Sequence, residues 1–254
     1  AYQELRALSP EDRLARMRDP AVRERVLKSS VSQEAMDRLS PSRVRAITRW
    51  DRMYTFGPDA DYEPSEERCV VTIAAQSNRT VEEVAYDYLT QGLDRFLYCP
   101  VTNYVNGDLS DVREMLLDPA TLSGLSDGGA HVGSVVDASM PTYLLTHWAR
   151  DRSRGPKLPL EVVVKAQTAE TADFFGFKDR GRLAPGLRAD VNVIDHEGLR
   201  IHAPHLVNDL PAGGTRLVQG VDGYVATMVA GEVVFENGEH SGALPGKLVR
   251  AGRS

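Results

Sequence analysis

Six consecutive residues, Ser126-Asp127-Gly128-Gly129-Ala130-His131, combine a carboxylate, two glycines and an imidazole within one turn's reach. An ionised carboxylate can ligate a hard or borderline metal, or take a proton from a bound water. Gly128 and Gly129 open backbone conformations closed to other residues and leave room for a substrate. His131, four residues after Asp127, could hydrogen-bond a substrate or Asp127, or carry a proton. The string follows a short apolar stretch (Thr121, Leu122, Leu125) and precedes a long amphipathic segment. Asp127 then stands at the carboxyl end of a strand, the end from which catalytic residues project in parallel α/β folds. Ser126-Asp127-Gly128 is equally the sequence of a tight turn.

The other chemistry-bearing residues make weaker sets. His147 sits beside Trp148 and suits packing. His196, His202, His205 and His240 fall in a segment rich in turns, and no His-x-His or His-Glu-x-x-His spacing links them. Asp190 follows Arg188-Ala189 and reads as a turn acid bonding its own backbone.

The chain has 254 residues, net charge −6 and two cysteines. The acidic balance argues against a nucleic-acid partner. Cys69 and Cys99 make no disulfide framework, which fits a cytoplasmic setting. No apolar run approaches the roughly 18 residues of a membrane span. Residues 1–52 are locally basic, with twelve Arg or Lys against eight Asp or Glu. Interleaved signs suit solvated helix faces with arginine stems over apolar surface better than an anion-binding face.

The elements that must position the Asp127 string are read from spacing and caps. Ser9-Pro10-Glu11-Asp12 opens a helix, and residues 1–52 form a set of short helices without a strand. Residues 54–65 read as a loop. Cys69–Ala74 is a buried strand or a helix, and the acids before it favour helix. Thr80-Val81-Glu82-Glu83 is a capping box opening a helix through Leu89. Phe96–Cys99 reads as a strand, 108–117 as a helix, Leu122–Leu125 as a strand, and 141–150 and 159–175 as two amphipathic helices. Strand and helix in alternation from 96 to 175 predict βα units with parallel strands. Beyond Phe177 the chain reads as a small all-β module, with a strand at Val191–Ile194 and a hairpin from Tyr224–Val229 to Glu232–Glu236.

The last 150 residues resemble the metal-dependent amidohydrolase superfamily, in particular amidohydrolase family 3, the N-acyl-D-amino-acid deacylase (D-aminoacylase-like) branch. Gly124-Leu125-Ser126-Asp127-Gly128 is similar to its strand-8 motif. Asp179-Arg180-Gly181-Arg182-Leu183-Ala184-Pro185-Gly186-Leu187-Arg188-Ala189-Asp190, running on to Asp195, resembles the entry into its β-sandwich subdomain. Val229-Ala230-Gly231-Glu232-Val233-Val234 resembles the closing hairpin of that subdomain. Residues 1–95 carry a weaker resemblance.

The resemblance implies an α/β fold, the C-terminal portion of a (β/α)8 barrel over residues 1–178 and a β subdomain over 179–254. It implies that Asp127 contacts an active-site metal, takes a proton from metal-bound water and passes it to the leaving nitrogen. Zinc or a similar ion would lower the pKa of that water from 15.7 to roughly 7. His131, Gly128 and Gly129 would lie against the substrate, a small N-acyl amino acid. The family's first-strand His-x-His motif, its bridging ligand and its two later metal histidines are absent from this sequence. A complete barrel takes about 250 residues, whereas roughly 178 precede the β module here. The expectation is a C-terminal part of a longer enzyme, silent alone and either homo-oligomeric or paired with the missing N-terminal half. Two other readings stay open: a cyclic-imide hydrolase or deaminase, and a non-catalytic module that kept the fold. Val132 to Tyr143 contains no Arg or Lys to hold a substrate carboxylate. Arg150, Arg152 and Arg154 are the remaining cations, though a surface position suits them better.

Overall fold

The computed structural model describes residues 2–5, 8–29, 48–124, 126, 128 and 131–250. They fall into two compact units, Ala1–Asp111 and Val112–Ser254. No helix among the described residues is long and apolar enough to cross a membrane.

In the first unit, α1 (Pro10–Met17) starts where Ser9 Oγ accepts the Asp12 N–H at 3.1 Å. Helix α2 (Pro20–Leu27) starts on Asp19, whose carboxylate accepts from Ala21 and Val22. Strand β1 (Tyr54–Phe56) pairs antiparallel with β2 (Phe96–Tyr98). The first three residues of the expected 54–65 loop are therefore strand, because alternate side chains of Tyr54–Phe56 bury against the core. Helix α3 (Val70–Ser77) resolves the ambiguity of the Cys69–Ala74 run in favour of helix. Helix α4 (Val81–Leu89) carries both arms of its capping box: Thr80 Oγ1 accepts from Glu83 at 3.2 Å, and Glu83 Oε2 accepts from Thr80 at 2.9 Å. Met53, Val70, Ala74, Val84 and Ala85 form the core between them, with Val70 wholly buried.

The basic N-terminal helices serve this unit. Arg18 donates to the carbonyls of Thr90 at 2.8 Å and Gln91 at 2.7 Å, closing the C-terminal end of α4. Arg23 forks onto both oxygens of Asp87 at 2.7 and 3.0 Å, and Arg79 also binds that carboxylate. The Arg23 hydrogen bonds, aided by the charges of Arg23 and Arg79, hold the Asp87 carboxyl below the usual carboxylate range. A depressed folded pKa contributes stability above the unfolded value of about 3.9 and loses it as pH falls through the folded value. Asp87→Asn is therefore expected to cost about 0.5–1 kcal/mol at pH 7, the scale of a solvent-screened pair. The difference from wild type should shrink in urea unfolding curves as pH falls below about 3.9 and through the lower folded value.

The second unit opens with α5 (Ser110–Leu117), whose first turn straddles the division. Helix α6 (Met140–Tyr143) runs directly into a π-helix, Leu144–Asp151. There Tyr143 stacks on His147 at 4.5 Å, His147 meets Trp148 edge-on at 5.4 Å, and the Arg152 guanidinium lies 4.8 Å over the Trp148 ring. Arg152 is only 2% exposed. Arg150 donates to the carbonyls of His196, Glu197 and Leu199. The surface position that suited Arg150 and Arg152 is thus corrected: their side chains are used inside the unit. Helices α7 (Leu160–Gln167) and α8 (Ala169–Phe174) break at Thr168 (φ −125°, ψ −85°), so the 159–175 segment is two helices.

The strands follow: β3 (Val191–Ile194), β4 (Arg200–Ile201), β5 (His205–Leu210), β6 (Gly214–Val218), β7 (Val221–Asp222), β8 (Tyr224–Val229), β9 (Glu232–Glu236) and β10 (Glu239–His240). They pair antiparallel as β10-β9-β8-β3, β4-β7 and β5-β6. The β8–β9 turn has left-handed φ at Ala230 (54°) and Gly231 (82°), the two-residue hairpin geometry. Asp190 holds this turn by accepting the Ala230 N–H at 2.8 Å, while Arg180 and Arg188 pair with its carboxylate at 2.9 and 2.8 Å. The Asp179–Asp190 motif is thus a charged clamp on a hairpin: the Asp190 carboxylate, expected to serve its own turn, accepts an N–H forty residues away.

Two expectations are overturned. Residues 121–124 carry no strand, and Leu125 lies outside the described residues. The described residues show no parallel pair and no strand between β2 and β3, so the βα units expected from 96 to 175 and the barrel they imply are not formed there. Two spaced leucines in a Ser- and Gly-rich stretch supply too little half-buried surface to hold a strand without a neighbour.

Candidate active site

The chain leaves α5 through Asp118, whose carboxylate accepts the Ala120 N–H at 2.7 Å and whose carbonyl accepts the Thr121 N–H at 3.0 Å. The following segment forms one wall of a cleft of about 630 Å³, with α7 and α8 opposite. Leu116, Leu122, Val162 and Phe174 give it an apolar lining, and Lys165 and Asp173 stand among them. Lys165 pairs with Glu170 at 2.7 Å, and Asp173 with Arg182 at 2.6 Å. The Arg182 hydrogen bonds hold the Asp173 carboxyl below its ordinary range. Asp173 is thereby unsuited to accept a proton near neutral pH.

Asp127 and Gly129 lie outside the described residues, so their geometry forms no part of the site as described. Ser123 lines the cleft. Gly128 is exposed and does not take a left-handed φ. A Cβ there would stand 3.5 Å from the Ala138 Cβ, an ordinary contact. The conformational argument for glycine therefore does not hold at Gly128; what its small size leaves is open space beside Ala138.

His131 is exposed and opens a turn in which its carbonyl accepts the N–H groups of Ser134 at 2.8 Å and Val135 at 2.9 Å. The turn is fixed from outside. Val132 O accepts the Leu217 N–H of β6 at 2.7 Å. Past the turn, Ser139 Oγ donates to Gln219 Oε1 at 2.6 Å. The sequence reading missed Ser139 and Gln219, because an isolated Gln between two short strands carries no local signal.

The other histidines are dispersed. His196 Nε2 lies 3.2 Å from Leu145 O, His202 Nε2 lies 2.7 Å from Asp222 Oδ2, and the His240 ring meets Phe235. Among the described residues no group of three or more His, Cys, Asp or Glu side chains could hold a metal ion. The described donors therefore do not fit a metal centre by themselves. The Cys69 thiol is buried against the carbonyls of Trp50 and Asp51, and burial pushes the half-buried Cys99 thiol up, away from the thiolate a nucleophile needs.

A family model described as the amidohydrolase family matches residues 85–235, a span that holds the Asp127 string, the cleft and the clamped hairpin. Comparison with curated proteins and with solved structures returned no match. With more than half of its length matched, the chain belongs to the amidohydrolase family, a family of hydrolases.

Proposed function

We propose that this chain is part of an amide hydrolase that releases free amino acids from N-acyl amino acids, with the D series preferred. The observation that carries the reading is the family match over 85–235, which spans both the Asp127 string and the Asp179–Asp190 motif. On this reading residues 1–178 belong to the catalytic part of the enzyme, without the parallel βα units expected of them, and 179–254 to its β subdomain. A divalent metal such as zinc, when bound, would supply a polarised carbonyl and an activated water. The described residues assemble no such site, so Asp127 would share the ion with ligands beyond them.

The role of this chain's own carboxylate follows from amide chemistry. An amine leaves an amide only once its nitrogen is protonated. Asp127 would take a proton at a carboxylate oxygen and deliver it to that nitrogen, the part of the reaction a positioned acid–base residue accelerates by about 10²–10⁴-fold. The exposed His131 turn would meet the substrate, and the space at Gly128 and Gly129 would admit it.

The test is amine release by the protein expressed from its complete reading frame, on a panel of N-acyl-D- and N-acyl-L-amino acids. The expected result is hydrolysis with a preference of about tenfold or more for the D series, the scale on which one well-made contact discriminates. Turnover of cyclic imides or amino-heterocycles alone would move the protein to another branch, and turnover of none of these would refute the reading.

A further inference from the structure

We propose that the basic segment after β10, residues 243–250, docks in the cleft between α7, α8 and the 116–123 wall of a second copy of this chain. The segment carries apolar side chains that nothing covers. Leu244 is 84% exposed and Leu248 80%. Among the described residues, 244–250 take part in no hydrogen bond and no ion pair. A Cβ at Gly246 would meet nothing within 4 Å. Burying two such leucines is favoured by the hydrophobic effect. The segment is also set apart by charge: residues 241–254 contain Lys247, Arg250 and Arg253 and no acid, in a chain of net charge −6.

The cleft offers the complement on both counts. Its apolar lining includes Leu116, Leu122, Val162 and Phe174, and the Phe174 ring is 71% exposed. Asp118, Glu170 and Asp173 line it as well, against Lys165. Acids still outnumber bases when Arg182, which binds Asp173, is counted. Residues 241–250 are not among the lining of their own copy's cleft. The dimensions agree. In extended chain Leu244 and Leu248 share one face, about 13 Å apart, and Lys247 points to the other. Helix α7 has eight residues and is about 12 Å long. The two leucines therefore span its length while Lys247 stays free to meet a carboxylate. Each copy has one such segment and one such cleft, both in its second unit. Two copies that exchange segments about a two-fold axis leave neither unfilled.

The experiment uses the protein from its complete reading frame, with sedimentation velocity across a concentration series and carbodiimide cross-linking of an equal mixture of unlabelled and isotope-labelled copies. The expected result is a dimer whose dissociation constant rises about tenfold or more in Leu248→Glu, and likewise in Phe174→Glu, as withdrawal of a buried apolar side chain requires. Both residues are exposed within one copy, so neither exchange should disturb its folding. Val101→Glu, at a valine 77% exposed in the first unit, should match wild type. Cross-links should join Lys247 to Glu170 or Asp173, and about half of them should pair a labelled with an unlabelled copy. A monomer at every concentration, a dimer untouched by Leu248→Glu and Phe174→Glu, or cross-links confined within single copies would each overturn the proposal. A monomer that binds an oligonucleotide through Lys247 and Arg250 would also overturn it, by assigning the segment to a polyanion. No readout uses amide turnover, so the outcome is independent of the proposed function.

Discussion

Asp127→Asn is expected to lower kcat/KM for amide substrates by about 10²–10⁴-fold in the protein from its complete reading frame, with little change in folding. The asparagine amide matches the carboxylate in shape but has no basic oxygen to accept a proton at neutral pH. It also carries no charge, so it is a poorer ligand for a hard or borderline cation. Both losses fall on the bond-breaking step, so the effect should sit mainly in kcat. Asp173 and Glu170, which line the cleft with α7 and α8, are committed to Arg182 and Lys165. The two side chains are nearly identical in size and shape, so the exchange is expected to leave packing undisturbed. Circular dichroism and thermal unfolding of the variant should therefore overlay wild type while turnover collapses.

The largest expected effect on folding belongs to Gly223, between β7 and β8. It has φ +98°, a region that side-chain-bearing residues rarely adopt. A Cβ there would come within 2.6 Å of the Leu199 Cα, 2.9 Å of the Leu199 N and 3.1 Å of the Asp195 O. These are backbone atoms, so no side-chain rotation relieves the clash. Leu199 is 1% exposed, and the Gly223 carbonyl accepts the Asp195 N–H at 2.8 Å. Strain and overpacking together should cost Gly223→Ala about 3 kcal/mol. That corresponds to a melting temperature lower by about 10 °C for a unit of this size. Gly220→Ala is the control: its φ is unrestricted, and its Cβ would meet only the edge of the His202 ring, at 3.6 Å. It should melt within about 2 °C of wild type, a shift below 1 kcal/mol. Equal melting of the two variants would show that the 195–199 crossing is looser than its geometry indicates.

What could be read in the sequence was local. Ser9 before Pro10 and Thr80 three residues before Glu83 announce helix starts because the cap bonds are made within one turn. The Tyr224–Val229 and Glu232–Glu236 hairpin was legible from its β-branched runs and Gly231. Long-range pairing was not. Phe96–Tyr98 is a strand as its residues suggest, but its partner is Tyr54–Phe56, antiparallel and forty residues earlier. The spacing of strands and helices says nothing of that direction. Arg150 and Arg152 were misread for a related reason. They look like surface charges in a linear chain, yet they find carbonyls and a ring only in the folded unit.

The site shows the same division. Asp127 and His131 stood out by residue type and spacing, and the family match covers them. Ser139 and Gln219 did not, since their link joins residues eighty apart in sequence. The Asp179–Asp190 motif was recognisable as a pattern, but its physical work, clamping Ala230 in a left-handed turn, appears only once Asp190 is seen beside the hairpin. Gly181, with φ +83°, approaches Ala172 and the Thr168 carbonyl so closely that any side chain would collide, which ties the same motif to α8.

The central claim is that Asp127 moves the proton on which amide cleavage depends. Its most direct measurement is the ratio of kcat/KM between wild type and Asp127→Asn on the N-acyl amino acid that the complete protein hydrolyses fastest. A ratio of about 100 or more with unchanged folding is predicted. A ratio near one would contradict the account and return Ser126-Asp127-Gly128 to the role of a tight turn.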